Sequence, residues 1–231
     1  MNHNLSFLAA FVFITSFPAH ARETCTEKVR TCLETHLAWL NSPSWKAIDY
    51  VVETMTVGAA TFTDTVHIVS GPGYFYSASR TNTLAVDEGS FVSVTHPSKT
   101  VLLRMGQAQP ASATQIWEKL ITDIMSRKVL KCDITRSQLL YVSGPTKKNS
   151  ASAEYSMDQL SIVIDIESCS LAEFERTFSA NGQQQRQKIT VLSSKVIDDT
   201  AKARVDPQSL VYDSRGKLKP ELKDYVVKDL R

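Results

Sequence analysis

The sequence predicts an α+β chain, mostly β, in which a curved antiparallel sheet or half-barrel wraps two helices. Three observations predict it. Short runs that alternate apolar and polar residues recur along the 231 residues, separated by compact turn signals. Only two stretches carry helical spacing. A sheet this broad must bury one face, and two helices cover only part of it, so a concave apolar cavity is expected to remain.

The chain opens with MNHNLSFLAAFVFITSFPAHARETC. An apolar run from Leu5 to Phe17 precedes Pro18 and the small-residue site Ala19-His20-Ala21. That pattern predicts an export signal over residues 1–21, cleaved after Ala21, and a single domain over 22–231. The run falls short of the ~20 apolar residues that a spanning helix needs. No Lys or Arg precedes it, only His3, and Cys25 follows Glu23-Thr24 without the small apolar residues of a lipidation site. No later segment is apolar enough to span, so the mature chain is expected to be soluble in the periplasm.

Residues 24–41 are expected to form the first helix. Val29, Leu33, His36, Leu37 and Leu40 recur at three- and four-residue steps, and Thr24 with Glu27 resembles a capping box. Asn41-Ser42-Pro43 ends it. The period then changes to two. Strands are expected near 48–56, 61–70, 74–79, 83–86, 90–95 and 100–104, punctuated by Gly58, Gly71-Pro72-Gly73, Asp87-Glu88-Gly89 and His96-Pro97. Gly89 is assigned the positive φ of its hairpin. Residues 113–131 predict the second helix, with a stripe from Ile116 to Val129. Strands resume at 137–142, 154–157, 160–166, 174–179 and 188–193, with Gln183-Gln184-Gln185 as a hairpin tip. An edge strand is expected near Ser209 to Tyr212.

Composition excludes several classes. Hydrophobic residues make up 42% and charged residues 22%, which suits one globular domain with a sizeable core. A net charge of +2, with no basic stripe interleaved with aromatics, argues against nucleic acid; Lys147-Lys148 beside Gly144-Pro145 reads as a solvated loop. Four cysteines, Cys25, Cys32, Cys132 and Cys169, predict two disulfides in an exported chain. Proximity in sequence favours Cys25 with Cys32 and Cys132 with Cys169. Seven residues of continuous helix, however, put Cα atoms about 10 Å apart, against the ~7 Å limit of a disulfide. Either Cys25 lies off the helix or the pairing differs. The spacings do not match a zinc site, and no metal or cofactor is expected.

Catalytic groups are likewise absent from the pattern. His36 reads as a packed helix residue, His67 as outward-facing and His96 as a turn residue. None sits at a triad spacing from a nucleophile. Asp64, Asp87 and Glu88 read as turn carboxylates, and no Gly-rich phosphate fingerprint occurs. The chain is expected not to be an enzyme.

Two stretches carry a family likeness. Val86-Asp87-Glu88-Gly89, the run Ser90 to Val94, and Thr95-His96-Pro97 form a turn, strand and turn. Gly73-Tyr74-Phe75-Tyr76 is an aromatic strand. Over roughly residues 25 to 105 the chain resembles the LolA-like proteins, periplasmic carriers of outer-membrane lipoproteins and their relatives. The carriers' Arg-Pro pair is missing, so no lid role passes to Arg80, and Cys132 and Cys169 lie outside the family pattern. The resemblance implies a LolA-like fold and a hydrophobic-ligand carrier or sensor, with a lipid or lipoprotein acyl chain as cargo and a docking partner in the envelope. Tyr50, Val52, Phe62, Val66, Ile68, Phe75, Leu84, Val86, Phe91 and Val101 are its cavity candidates; each is equally what the core of a half-buried sheet requires. The alternative is a structural or interaction protein of an exported complex, using the sheet edge.

Overall fold

The computed structural model describes residues 19–105, 121–145, 155–180, 183–198 and 204–231. Helix α1 (Ala19–Asn41) is followed by β1 (Lys46–Thr56), β2 (Phe62–Gly71), β3 (Tyr74–Ala78), β4 (Asn82–Val86), β5 (Ser90–Thr95) and β6 (Thr100–Met105). Residues 121–126 are helical (α2). Then come β7 (Val129–Ile134), β8 (Gln138–Ser143), β9 (Tyr155–Asp165), β10 (Ser170–Ala180), β11 (Gln183–Val196) and β12 (Val226–Leu230), with 3₁₀ turns at Pro207–Leu210 and Pro220–Leu222.

All twelve strands belong to one curved, unclosed sheet, ordered β12-β6-β5-β4-β3-β2-β1-β11-β10-β9-β8-β7. The chain starts at the centre, winds outward to β6 and crosses to the far edge at β7. It then winds back until β11 pairs with β1, from Lys46 opposite Val196 to Thr56 opposite Gln185. The result is two arms, β2 to β6 and β7 to β10, hinged on the β1/β11 pair. The sheet is mixed rather than wholly antiparallel, because β12 returns parallel to β6.

Local chemistry sets the turns. Gly73, at φ +66°, closes the β2/β3 hairpin. Gly89 is not among the positive-φ glycines. Its hairpin is held by Asp87, whose Oδ1 accepts from Gly89 N, Ser90 N and Ser90 Oγ at 3.2, 3.0 and 2.8 Å.

Several boundaries differ from the sequence reading. Helix α1 begins before Thr24, so Thr24 is not a cap; residues 1–18 of the predicted leader lie outside the described residues. The second predicted helix lies partly outside them too, at 113–120. Its C-terminal part, Val129 to Lys131, is strand β7, drawn into the ladder by β8. The pieces 154–157 and 160–166 are one strand, β9, and Gln183 to Gln185 begin β11. Ser209 to Tyr212 form no edge strand: the Pro207–Leu210 turn leads to a bridge between Tyr212 and Leu218.

The disulfides join Cys25 to Cys132 and Cys32 to Cys169, with Cα separations of 6.2 and 4.6 Å. The sequence-adjacent pairing is therefore wrong, and the helix is the reason. Cys25 and Cys32 lie about two turns apart on a continuous helix, so they share a face and cannot reach each other. Each instead meets the second arm, Cys132 on β7 and Cys169 in the β9/β10 turn.

Following the register across the strands separates the two faces of the sheet. Cys132, Tyr141, Ile162, Phe174, Ile189, Val52 and Asp64 are successive partners from β7 to β2. This is the helix face, because Cys132 carries the bridge to α1. One core cluster lies here: Cys25, Val29, Cys32 and Leu33 of α1 and Ile124 of α2 pack on Leu139, Tyr141, Leu160 and Ile162. Val69, Tyr76, Ala85, Val92 and Leu103 are partners on the opposite, tail face. The second cluster lies there, where Val211 and Leu222 of the C-terminal tail bury against Val92, Val94, Val101 and Leu103. The two arms are thus covered on opposite faces.

Candidate ligand-binding face

The helix face of the first arm is built by alternation. In β1 and β2, Ile48 is opposite Ile68 and Tyr50 opposite Val66. Further out, Phe75, Val86 and Phe91 are direct partners, and beside them Ser77, Leu84 and Ser93. Such partners lie about 4.5–5.5 Å apart at Cβ. Across β2/β3 the direct partners are Ile68 with Ser77 and Ser70 with Phe75, so the apolar residues meet there diagonally and the strip is largely apolar, with serines between. Tyr50, Val52, Val66, Ile68, Phe75, Leu84 and Phe91 are half-buried, and Val86 is buried. Phe62, at the end of β2, is 41% exposed, with the Arg80 guanidinium 5.6 Å above its ring. None of these nine residues belongs to either described core cluster.

The register therefore brings nine of the ten sequence-predicted cavity residues onto one face. Val101 is the exception. It pairs with Val94 on the tail face and is fully buried in the second cluster. Two open recesses are described elsewhere, and neither is lined by any of the ten. One, of about 630 Å³, lies among Asp206, Gln208, Tyr212, Asp213 and Arg231; the other, of about 280 Å³, lies at the strand tips near Met55 and Arg186.

Polar groups frame the strip. Asp64 is buried and opposite Val52; its Oδ1 accepts from Arg80 N at 3.1 Å and its Oδ2 from Thr81 Oγ1 at 2.9 Å. Burial alone would raise its pKa, but the donors of Thr81, Arg80 and Ser79 together hold it below the usual carboxylate value. Lys46, 2% exposed, donates from Nζ to Ser42 O at 2.6 Å and Ser44 O at 2.8 Å and lies over Trp39. Its pKa is lowered by burial. Trp45 rests on Gly71, where an added Cβ would come within 2.5 Å of the ring, and stacks on Tyr74 at 5.1 Å. Burial raises the pKa of Tyr50.

Among the described residues His67, His96 and His36 form no Ser-His-Asp arrangement. His67 Nδ1 lies 2.6 Å from Asp49 Oδ1, while Ser193 Oγ donates to the other oxygen, Asp49 Oδ2, at 2.6 Å. The carboxylate stands between the two groups, whereas a nucleophilic triad needs the imidazole there. His96 Nδ1 meets Tyr225 Oη at 2.9 Å, and His36 stacks on Trp39 with its pKa lowered by burial. Among the described residues no group of three His, Cys, Asp or Glu could hold a metal, and no helix is long and apolar enough to cross a membrane.

No family model and no curated protein matches the sequence. Solved structures are similar over most of the chain, at low identity and low TM-score. A LolA superfamily protein from Nitrosomonas europaea is 10% identical, with 77% of this chain and 97% of that one covered and a TM-score of 0.34. The Mycobacterium tuberculosis lipoprotein LppX is 9% identical, covering 73% and 93%, with a TM-score of 0.42. The Pseudomonas aeruginosa MucA/MucB complex is 10% identical, covering 79% and 61%, with a TM-score of 0.36. At such values none of these likenesses assigns this chain a ligand.

Proposed function

We propose that the protein is an exported, non-catalytic carrier or sensor of hydrophobic ligands, and that it lays a lipid or lipoprotein acyl chain along the helix face of its first arm. One observation carries the reading. The strip from Tyr50 to Phe91 is largely apolar and, apart from buried Val86, half-buried or exposed on the face that helices cover in the other arm, yet its apolar residues lie outside both core clusters. Contiguous apolar surface of this kind marks a binding site more often than bare surface. Each acyl methylene buried against it would contribute about 0.8 kcal/mol. The four cysteines, all in disulfides, agree with an oxidising compartment and hence with export.

The test uses the full chain after processing, with the methyl ester of cis-parinaric acid as an uncharged acyl probe. Micromolar or tighter binding is expected, together with co-purifying lipid in native mass spectra. Replacing Ile68 with Asp, on the half-buried strip, should weaken binding at least tenfold. No probe binding and no bound lipid would refute the carrier.

A second reading, docking of a protein at the sheet edge, is favoured by β12. This edge strand pairs on one side only, and its five residues are all exposed, Val226 at 59% and Leu230 at 58%. A stable partner in pull-downs that is lost on deleting residues 226–231, with no acyl binding, would favour it over the carrier.

A further inference from the structure

The strip leads to a cationic edge of the sheet. The row Phe75, Val86, Phe91 continues to Arg104, the direct partner of Phe91 on β6. The neighbouring row Leu84, Ser93, Leu102 continues to Lys228, the partner of Leu102 on β12. Leu230 is the partner of Arg104, so exposed Leu230 and Val226 flank Lys228 on the same face. The first row is apolar to Phe91 and passes through Arg104 to Leu230, and the second, interrupted by Ser93, ends in Lys228, so both meet a cation at the β6/β12 edge.

These two cations differ from the others on that face. Lys46 is taken up by two carbonyls, Arg80 donates to Thr63 O and covers Phe62, and Arg176 donates to Gln187 Oε1 and covers Phe178. Arg104 and Lys228 are exposed and have no hydrogen-bond or ion-pair partner among the described residues. No carboxylate among the described residues pairs with either cation, and two nearby ones are engaged elsewhere. Asp229 is held by Arg231 at 2.6 Å, and Asp87 faces Arg204 at 3.9 Å.

We infer that the ligand is an anionic amphiphile, with its acyl chain on the Phe75, Val86, Phe91 and Leu84 strip and its charged head at Arg104 and Lys228 on the β6/β12 edge. This rests on the carrier reading, and it adds the head group, the orientation and the rim through which the ligand enters. A neutral lipid gains the apolar contact only. An anionic head adds charge-assisted hydrogen bonds to a guanidinium and an ammonium that no carboxylate among the described residues pairs with. Because both cations are exposed, the added term is modest and weakens with salt.

The experiment compares cis-parinaric acid with its methyl ester at pH 8.5 and low salt, below the concentration at which either aggregates. Wild-type protein should bind the carboxylate about tenfold tighter than the ester, and the preference should shrink at 0.5 M salt. In the Arg104→Gln/Lys228→Gln double variant the preference should fall to about one. Unchanged thermal unfolding and an absence of titratable thiols would show that the variant is folded. Equal binding of acid and ester by wild-type protein, or a preference that survives in the double variant, overturns the head-group assignment and leaves the acyl site standing. Binding of neither probe overturns both.

Discussion

The two arms of the sheet solve the same problem in opposite ways. In the second arm, α1 and α2 lie on the sheet and their side chains complete a packed core, with Val29, Leu33 and Ile124 against Leu139, Tyr141 and Ile162. In the first arm the packed core is on the other face, under the tail, and the helix face is left half-exposed. The difference lies in how each cover is attached. Helix α1 is bolted to the second arm by two disulfides closing loops of 107 and 137 residues. The tail is held to the first arm by apolar burial, by Tyr74 Oη with Val205, and by the β12 pairing. One cover is thus fastened covalently, and the other arm leaves a largely apolar face half-buried.

The largest expected effect comes from unbolting the helix. Removing the Cys32 to Cys169 bridge as the Cys32→Ser/Cys169→Ser pair should cost about 3 kcal/mol, since closing a loop of this length constrains the unfolded chain strongly. For a domain of this size that is roughly 6–12 °C in Tm. If calorimetry finds no change, the contrast between a bolted and an unbolted arm fails. Next in size is the tail core. Leu222→Ala should cost about 2–4 kcal/mol because Leu222 is buried in the second cluster. Phe75→Ala on the free strip should cost less, since Phe75 is half-buried, while reducing acyl-probe affinity, which Leu222→Ala leaves unchanged. Equal stability losses at the two sites would mean that the strip is core.

How much of this was legible depended on whether the signal was local. Strands β1 to β6 were readable because each alternates and each turn carries Gly, Pro or Asp. Strand β7 was hidden because Val129 falls in step with the apolar spacing of the helix before it, and only pairing with β8 decides the matter. The disulfide partners lie more than 100 residues apart in sequence, so only the arrangement of the arms selects them. Alternation showed which residues of one strand share a face, but not which face of β6 matches that of β2; hence Val101 was grouped with the wrong side. The tail was least legible. Leu210, Val211, Leu218 and Leu222 follow neither period, because they cover the sheet from 3₁₀ turns and a bridge rather than from a helix or strand. Arg104 and Lys228 gave no sequence signal, since the parallel return of β12 is what brings them together.

The smallest effect is an acid titration that tests how the free arm holds its shape without a packed helix. Asp64 sits among the apolar residues of the helix face and pins the turn at residues 79–82 to β2 through Arg80 N and Thr81 Oγ1. Its pKa is lowered in the folded chain, so the ionised form stabilises the fold above the unfolded value of about 3.9, and that contribution is lost as pH falls through the lower folded value. Asp64→Asn should therefore be less stable than wild type at pH 7, with the gap closing over the acid range below about pH 4. Asp49, whose pKa is also lowered, first by Ser193 and then by His67, titrates in both proteins and cancels in the comparison. A gap that stays constant across that range would mean that packing holds the turn, and the first arm would then resemble the second more closely than its exposed strip indicates.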